Sequence, residues 1–172
     1  VHSQTMSRGF VKEDDQEEIP MVPPRAYLPE GVANYVTRVG MDELLAERQM
    51  LVNEKNSLDS SNEDEKRIAL NHILAKLQLL DNRIDTARIV ELNEPAPGEI
   101  RFGAVIKLKI EANKKIQTFQ IVGVDEADIS KGKISFTSPL ARALINKEIG
   151  DKAILKRGQE NLVFEILDIA YS

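Results

Sequence analysis

Leu70-Asn71-His72-Ile73-Leu74-Ala75-Lys76-Leu77-Gln78-Leu79-Leu80-Asp81-Asn82-Arg83-Ile84-Asp85-Thr86-Ala87 decides the fold of the N-terminal half. Leu70, Ile73, Leu77, Leu80, Ile84 and Ala87 recur at spacings of 3, 4, 3, 4 and 3. That is a heptad seam, an apolar stripe on one helical face that needs a second helix to cover it. Upstream, Met41, Leu44, Leu51 and Leu58 keep the same spacing. Arg48 and Lys55 also fall on the seam, where long basic side chains can cover apolar surface with their stems. Between the two halves, Leu58-Asp59-Ser60-Ser61-Asn62 supplies turn and cap residues, and Glu63-Asp64-Glu65 opens the next helix. Ser60 with Glu63, or Ser61 with Asp64, has capping-box spacing. A connection this short requires the helices to run antiparallel. The reading predicts a coiled-coil hairpin over 36–92, its second helix about 27 residues long and reaching about 40 Å.

Working outward, residues 1–35 are punctuated instead of periodic. Glu13, Asp14, Asp15, Glu17 and Glu18 crowd together and Pro20, Pro23, Pro24 and Pro29 follow. Neither a helix nor a central strand runs through such a segment, so an extended, solvated leader is expected. Residues 93–98, Asn-Glu-Pro-Ala-Pro-Gly, form a linker. Beyond it the period changes to two: Ala104, Ile106, Leu108 and Ile110 alternate with Val105, Lys107 and Lys109. Strands are expected over 104–110, 117–124, 133–137, 153–155 and 162–170. A helix over 139–146 would have Ser138 as N-cap and Pro139 at its first position. Residues 99–172 thus read as a small twisted sheet with one covering helix, and the whole chain as α+β.

Composition removes many function classes. The 172 residues contain no Cys, and His2 and His72 are the two histidines. Thiol nucleophiles, disulfides and Cys- or His-rich metal sites are therefore excluded. A net charge of −5 lacks the basic footprint of a protein that grips duplex DNA. No apolar run approaches the roughly 20 residues of a membrane helix, and a cytoplasmic location is expected. His72, one position off the seam, reads as a solvated or partly packed imidazole. Lys107, Lys109, Lys114 and Lys115 read as solvated strand faces and a turn, since no aromatics interleave them. Phe119, Phe136 and Phe164 sit at strand spacing and read as core.

Within 99–172 several runs become recognisable: Phe102-Gly103-Ala104-Val105, Phe119-Gln120-Ile121-Val122-Gly123-Val124-Asp125-Glu126, Ile134-Ser135-Phe136-Thr137-Ser138-Pro139-Leu140-Ala141-Arg142-Ala143-Leu144 and Lys147-Glu148-Ile149-Gly150-Asp151. Together they resemble the C-terminal domain of the Gre transcript-cleavage factors, closer to GreB than to GreA. The resemblance extends back through Arg88-Ile89-Val90 to Tyr35-Val36-Thr37-Arg38 and leaves the leader without a counterpart. It implies an antiparallel coiled coil followed by an FKBP-like domain. It further implies a transcription elongation factor that binds RNA polymerase at its secondary channel and promotes cleavage of backtracked RNA. Such a factor is not itself an enzyme and carries no cofactor of its own. Its tip carboxylates help hold a Mg2+ of the polymerase active centre. RNA is then a candidate contact within the polymerase complex, with no duplex DNA specificity, no membrane and a cytoplasmic, nucleoid-associated location.

Carried over residue by residue, the resemblance weakens at the tip. The family pattern there is Gly-Asp-x-x-Glu-Asn-x-x-Tyr, and of its acids only Asp59 is in register, with Glu63 displaced by one position. Asp59, Glu63, Asp64 and Glu65 are the candidate tip carboxylates. No stably bound metal is expected, only transient Mg2+ through Asp59 and Glu63. The docking candidates are Thr137, which replaces an Asp of the family pattern, with Ser138, Pro139 and Arg142. The shortened hairpin and altered tip support an alternative, a channel-binding regulator without cleavage activity. Prolyl isomerisation, suggested by the FKBP-like fold alone, is poorly served by a chain with no Trp and 5% aromatic residues.

Overall fold

A computed structural model of the chain describes residues 21–59, 61–92 and 98–171. The leader up to residue 20, Ser60, most of the expected linker (93–97) and the final residue lie outside the described residues. The chain divides into two compact units, one built on Leu45–Asp85, to which Arg25 also belongs, the other on Ala26–Leu44 and Thr86–Ser172.

The two expected helices are present as α1 (Arg38–Asn56) and α2 (Glu63–Thr86). In the first unit Leu51 of α1 and Ile73, Leu77 and Leu80 of α2 are buried, as the heptad seam requires. Burying each such side chain contributes about 1.5–3 kcal/mol over leaving it in water. Arg48 remains half exposed, and its Nε donates to Asp81 Oδ1 at 2.7 Å, so the cation that falls on the seam is paired across the two antiparallel helices. Arg25 forks onto Glu47 of α1 with bonds of 2.8 and 3.0 Å, both residues lying in the first unit.

The second helix has 24 residues and stops at Thr86, short of the expected Ala87 and beyond. Ala87–Ile89 forms β2, paired in parallel with β1 (Asn34–Val36) through Asn34↔Ala87 and Val36↔Ile89. The Val90 amide donates to the Val36 carbonyl at 2.9 Å and Asn34 Nδ2 donates to Thr86 Oγ1 at 3.2 Å. Backbone partners on β1 therefore end the helix where periodicity alone would continue it. Parallel strands need a crossover of a dozen or more residues, and the helical hairpin is that crossover.

The rest of the second unit is a mixed five-stranded sheet in the order β5-β4-β3-β7-β6. Its strands are β3 (Val105–Ile110), β4 (Ile116–Val122), β5 (Lys133–Ser135), β6 (Lys152–Arg157) and β7 (Glu160–Ala170). Within this sheet β4 and β5 pair in parallel and the other neighbours antiparallel. Along β3, Ile106 and Leu108 are buried while Lys107 is exposed, the alternation expected of a strand with one covered face. A bulge between Lys107 and Leu108 shifts its register against β7. Helix α3 (Pro139–Leu144) presses Ala141 and Leu144 into a core shared with Ile100, Ile106, Leu108, Phe164 and Ile166. Phe164 is buried and Phe119 and Phe136 pack against that core, as their spacing predicted. The α+β class follows. No helix among the described residues is long and apolar enough to cross a membrane.

Candidate functional site

The hairpin turn is built by hydrogen bonds at each side of it. α1 closes as the Ser57 amide donates to Asn53 and the Leu58 amide to Lys55. α2 opens with Asn62 as its cap: Asn62 Oδ1 accepts from the Asp64 amide at 2.9 Å and the Glu65 amide at 3.2 Å. The expected capping box of Ser61 with Asp64 gives way to this arrangement, and that of Ser60 with Glu63 lies outside the described residues. Ser61 lies outside the cap position, whereas an Asn at the cap reaches two of the helix's unpaired amides.

This cap places the candidate acids. Glu63, Asp64 and Glu65 occupy the first turn of α2, where the positive end of the helix favours anions, and all three are exposed. Asp59 is exposed on the other side of the turn. Asp64 has Arg67 at 3.4 Å, a surface pair of small energetic value. Among the described residues no group of three or more His, Cys, Asp or Glu side chains is arranged to hold a metal ion. The tip presents exposed carboxylates, oxygen groups of the kind that hard cations take as ligands. Asn62, standing where the family pattern has its Glu, is committed to the cap. Glu63 falls on the first helical residue instead.

The docking candidates sit where β5 turns into α3. Ser138 Oγ accepts from the Ala141 amide at 3.2 Å and the Ser138 carbonyl accepts from the Arg142 amide at 3.0 Å, so Ser138 is the predicted N-cap. Pro139 begins the helix and is exposed, as is Arg142. Thr137 is half-buried. Its amide donates to Ser135 Oγ at 3.1 Å and the two hydroxyls lie 2.7 Å apart. Ser135 was not singled out from the sequence, although its place two residues before the Thr-Ser-Pro run suits it to brace that turn.

Sequence reasoning also missed a buried polar cluster in the second unit. Glu126 Oε1 accepts the Thr37 hydroxyl at 2.5 Å, and Lys133 Nζ donates to Glu126 Oε2 at 3.1 Å. These residues border a cavity of about 270 Å³ that Arg38, Glu91 and Gln120 also line. The available signal was an acid two positions after the apolar run Ile121–Val124, and a Thr at the spacing of a helix cap.

Titration behaviour is perturbed elsewhere in this unit. Glu111 is held below the usual carboxylate range by its hydrogen bond from Lys152, and Lys152 is raised by the same bond. Asp128 is lowered mainly by the Ser130 hydroxyl. Burial raises the phenol of Tyr171. Lys109 pairs with Glu165 at 3.3 Å, so one member of the basic strand cluster is already neutralised.

Residues 94–171 match the family described as Transcription elongation factor, GreA/GreB, C-term. This segment is therefore similar to the C-terminal domain of that family. The chain is 37% identical over 103 residues to the transcription elongation factor GreA of Sinorhizobium medicae, an alignment covering 60% of this chain and 65% of that protein. It is 36% identical over 99 residues to GreA of Hyphomonas neptunium, covering 58% of this chain and 63% of that one. The chain thus spans slightly under two thirds of the length of these curated relatives. They are named GreA and do not place it nearer to GreB, as the motifs had suggested. Among solved structures it is similar to GreA factor homolog 1 of Thermus thermophilus at 20% identity and a TM-score of 0.37, covering 81% of this chain and 99% of that one. It is likewise similar to GreA/GreB from Nitrosomonas europaea at 17% identity and a TM-score of 0.40, covering 87% and 100%.

Proposed function

We propose that the chain is a bacterial transcription elongation factor that binds RNA polymerase at the secondary channel and promotes cleavage of backtracked RNA. The observation that carries the reading is the exposed acidic turn, Asp59 with Glu63, Asp64 and Glu65, in a chain whose residues 94–171 match the GreA/GreB C-terminal family. In this mechanism Thr137, Ser138, Pro139 and Arg142 contact the polymerase. Asp59 and Glu63 supply carboxylate ligands at its active centre, while Asp64 and Glu65 strengthen the local negative field. The polymerase's Mg2+, when held there, stabilises the attacking and leaving oxygens of phosphodiester hydrolysis. The factor supplies ligands and the polymerase performs the reaction. The protein acts in the cytoplasm and meets RNA within the polymerase complex, without duplex DNA specificity.

The test is a stalled, backtracked polymerase complex with Mg2+. Added factor is expected to speed endonucleolytic shortening of the transcript, and Asp59→Asn combined with Glu63→Gln is expected to abolish the gain while binding persists. Cleavage no faster than with polymerase alone would remove this role. One observation favours a second reading, a channel-occupying regulator: Asn62 fills the family Glu position and its side chain caps α2. On that reading the double variant inhibits the polymerase as well as the unaltered chain does.

A further inference from the structure

Glu126 is a carboxylate buried almost completely, its side chain only 3% exposed. Keeping a charge there is costly unless its partners are well placed, and an apolar residue of similar size would pack more simply. Of its two side-chain partners, Thr37 stands at the start of α1 and Lys133 on β5. Thr37, which donates to Glu126 Oε1, accepts the Gly40 amide on the same oxygen at 2.9 Å, and its carbonyl accepts the Met41 amide at 2.9 Å. Thr37 is therefore the N-cap of α1, and Glu126 orients the capping hydroxyl. Lys133 anchors the other carboxylate oxygen. The backbone comes as close as the side chains allow: a Cβ on Gly40 would lie 2.7 Å from Glu126 Oε1. On the preceding strand, the Tyr35 carbonyl oxygen would lie 2.5 Å from a Cβ on Gly123. Two glycines, a cap and an ion pair thus converge on residues 35–41.

We infer that Glu126 is a positioning residue: with Thr37 and Lys133 it clamps the first turn of α1, the helix whose last residue, Asn56, precedes Asp59 by three positions. Its consequence for the tip rests on the cleavage reading above; the clamp itself does not. The role predicts effects at amides that Glu126 does not touch.

The experiment compares Glu126→Ala with Glu126→Gln in the full chain, the second keeping an acceptor for the Thr37 hydroxyl. In the free protein, Glu126→Ala is expected to speed hydrogen exchange at the Gly40 and Met41 amides about tenfold, the scale of one lost buried hydrogen bond. Glu126→Gln recovers most of that protection, and the amides of β3 and β7 keep theirs in both variants. In the backtracked-complex assay, Glu126→Ala is expected to lower the cleavage rate at saturating factor about tenfold. The half-saturating concentration moves less than about twofold, because the docking residues are untouched. Unchanged exchange at Gly40 and Met41 overturns the clamp. So does loss of protection in β3 and β7 together with them, since Glu126 would then hold the whole sheet. Faster exchange with an unchanged saturated rate overturns the positioning role. Absence of cleavage with the unaltered chain defeats the functional reading instead, and exchange alone then decides the clamp.

Discussion

Asn62 Oδ1 accepts the amide hydrogen of Asp64 at 2.9 Å, which fixes both where α2 begins and which acids lie in its first turn. Replacing Asn62 by Ala leaves the Asp64 and Glu65 amides without their side-chain acceptor. The expected cost is about 1 kcal/mol, and Asn62→Asp is expected to be close to neutral, since Asp caps as well as Asn. Thermal melts followed by helical circular dichroism test this. Equal midpoints for the Ala and Asp variants would show that the cap contributes nothing.

The helical seam makes a second prediction through a contrast of neighbours. Leu80 is fully buried, whereas the adjacent Leu79 is 39% exposed. Leu80→Ala removes buried methyl groups and leaves a cavity, at an expected cost of about 2–5 kcal/mol. Leu79→Ala is expected to change stability by less than about 0.5 kcal/mol, as ordinary surface substitutions do. Urea titrations of the two variants check this, and similar losses in both would contradict the burial assigned to the seam.

Much of this was legible because it is periodic. The seam at Leu70, Ile73, Leu77 and Leu80, the alternation along Ile106-Lys107-Leu108 and the Ser138-Pro139 cap each express a local rule that the residues themselves carry. The pairing of β1 with β2 was not legible. Three-residue strands have no readable period, and their backbone partners lie about fifty positions apart in sequence, a separation set by the hairpin between them. At the tip the acids and the stretch that caps them, Leu58 to Asn62, are legible, but which residue caps is not, because Ser, Asn and Asp all have the required chemistry and only the helix start distinguishes them. The Thr37–Glu126 bond joins residues 89 positions apart. Nothing in either local sequence announces the other.

Gly123 provides a third prediction. A Cβ there would lie 2.5 Å from the Tyr35 carbonyl oxygen, a backbone atom of β1 that cannot rotate away as a side chain would. Gly123→Ala is therefore expected to destabilise the second unit by about 1–3 kcal/mol, in the range of overpacked sites. Tyr35, Phe102 and Phe136 pack edge-on or tilted with ring centroids 5.6–6.0 Å apart, so displacement of β1 also disturbs this aromatic contact. Hydrogen exchange at the Val90 amide, which donates to Val36 of β1, reports the displacement directly. Unchanged protection there in Gly123→Ala would mean that β1 yields without loss of pairing.

The last prediction concerns pH. The Tyr171 hydroxyl donates to the Glu99 carbonyl and accepts the Arg101 amide, each at 2.9 Å, tying the end of the sheet to the segment that enters it. Burial raises its pKa, with the Arg101 amide opposing in part. Only the protonated phenol can donate to Glu99. With the folded value above the unfolded one, its contribution to stability is complete below the ordinary tyrosine value of about 10 and is lost as pH rises through the folded value. Lysines also titrate in that range, so wild-type behaviour alone is not diagnostic. Tyr171→Phe is expected to be less stable at neutral pH, by about 0.5–1.5 kcal/mol for the hydrogen bonding removed, and to lose less stability than wild type as pH rises past about 10. Denaturant midpoints for both proteins on either side of that pH test it. Parallel declines would show that the Tyr171 proton is not linked to folding.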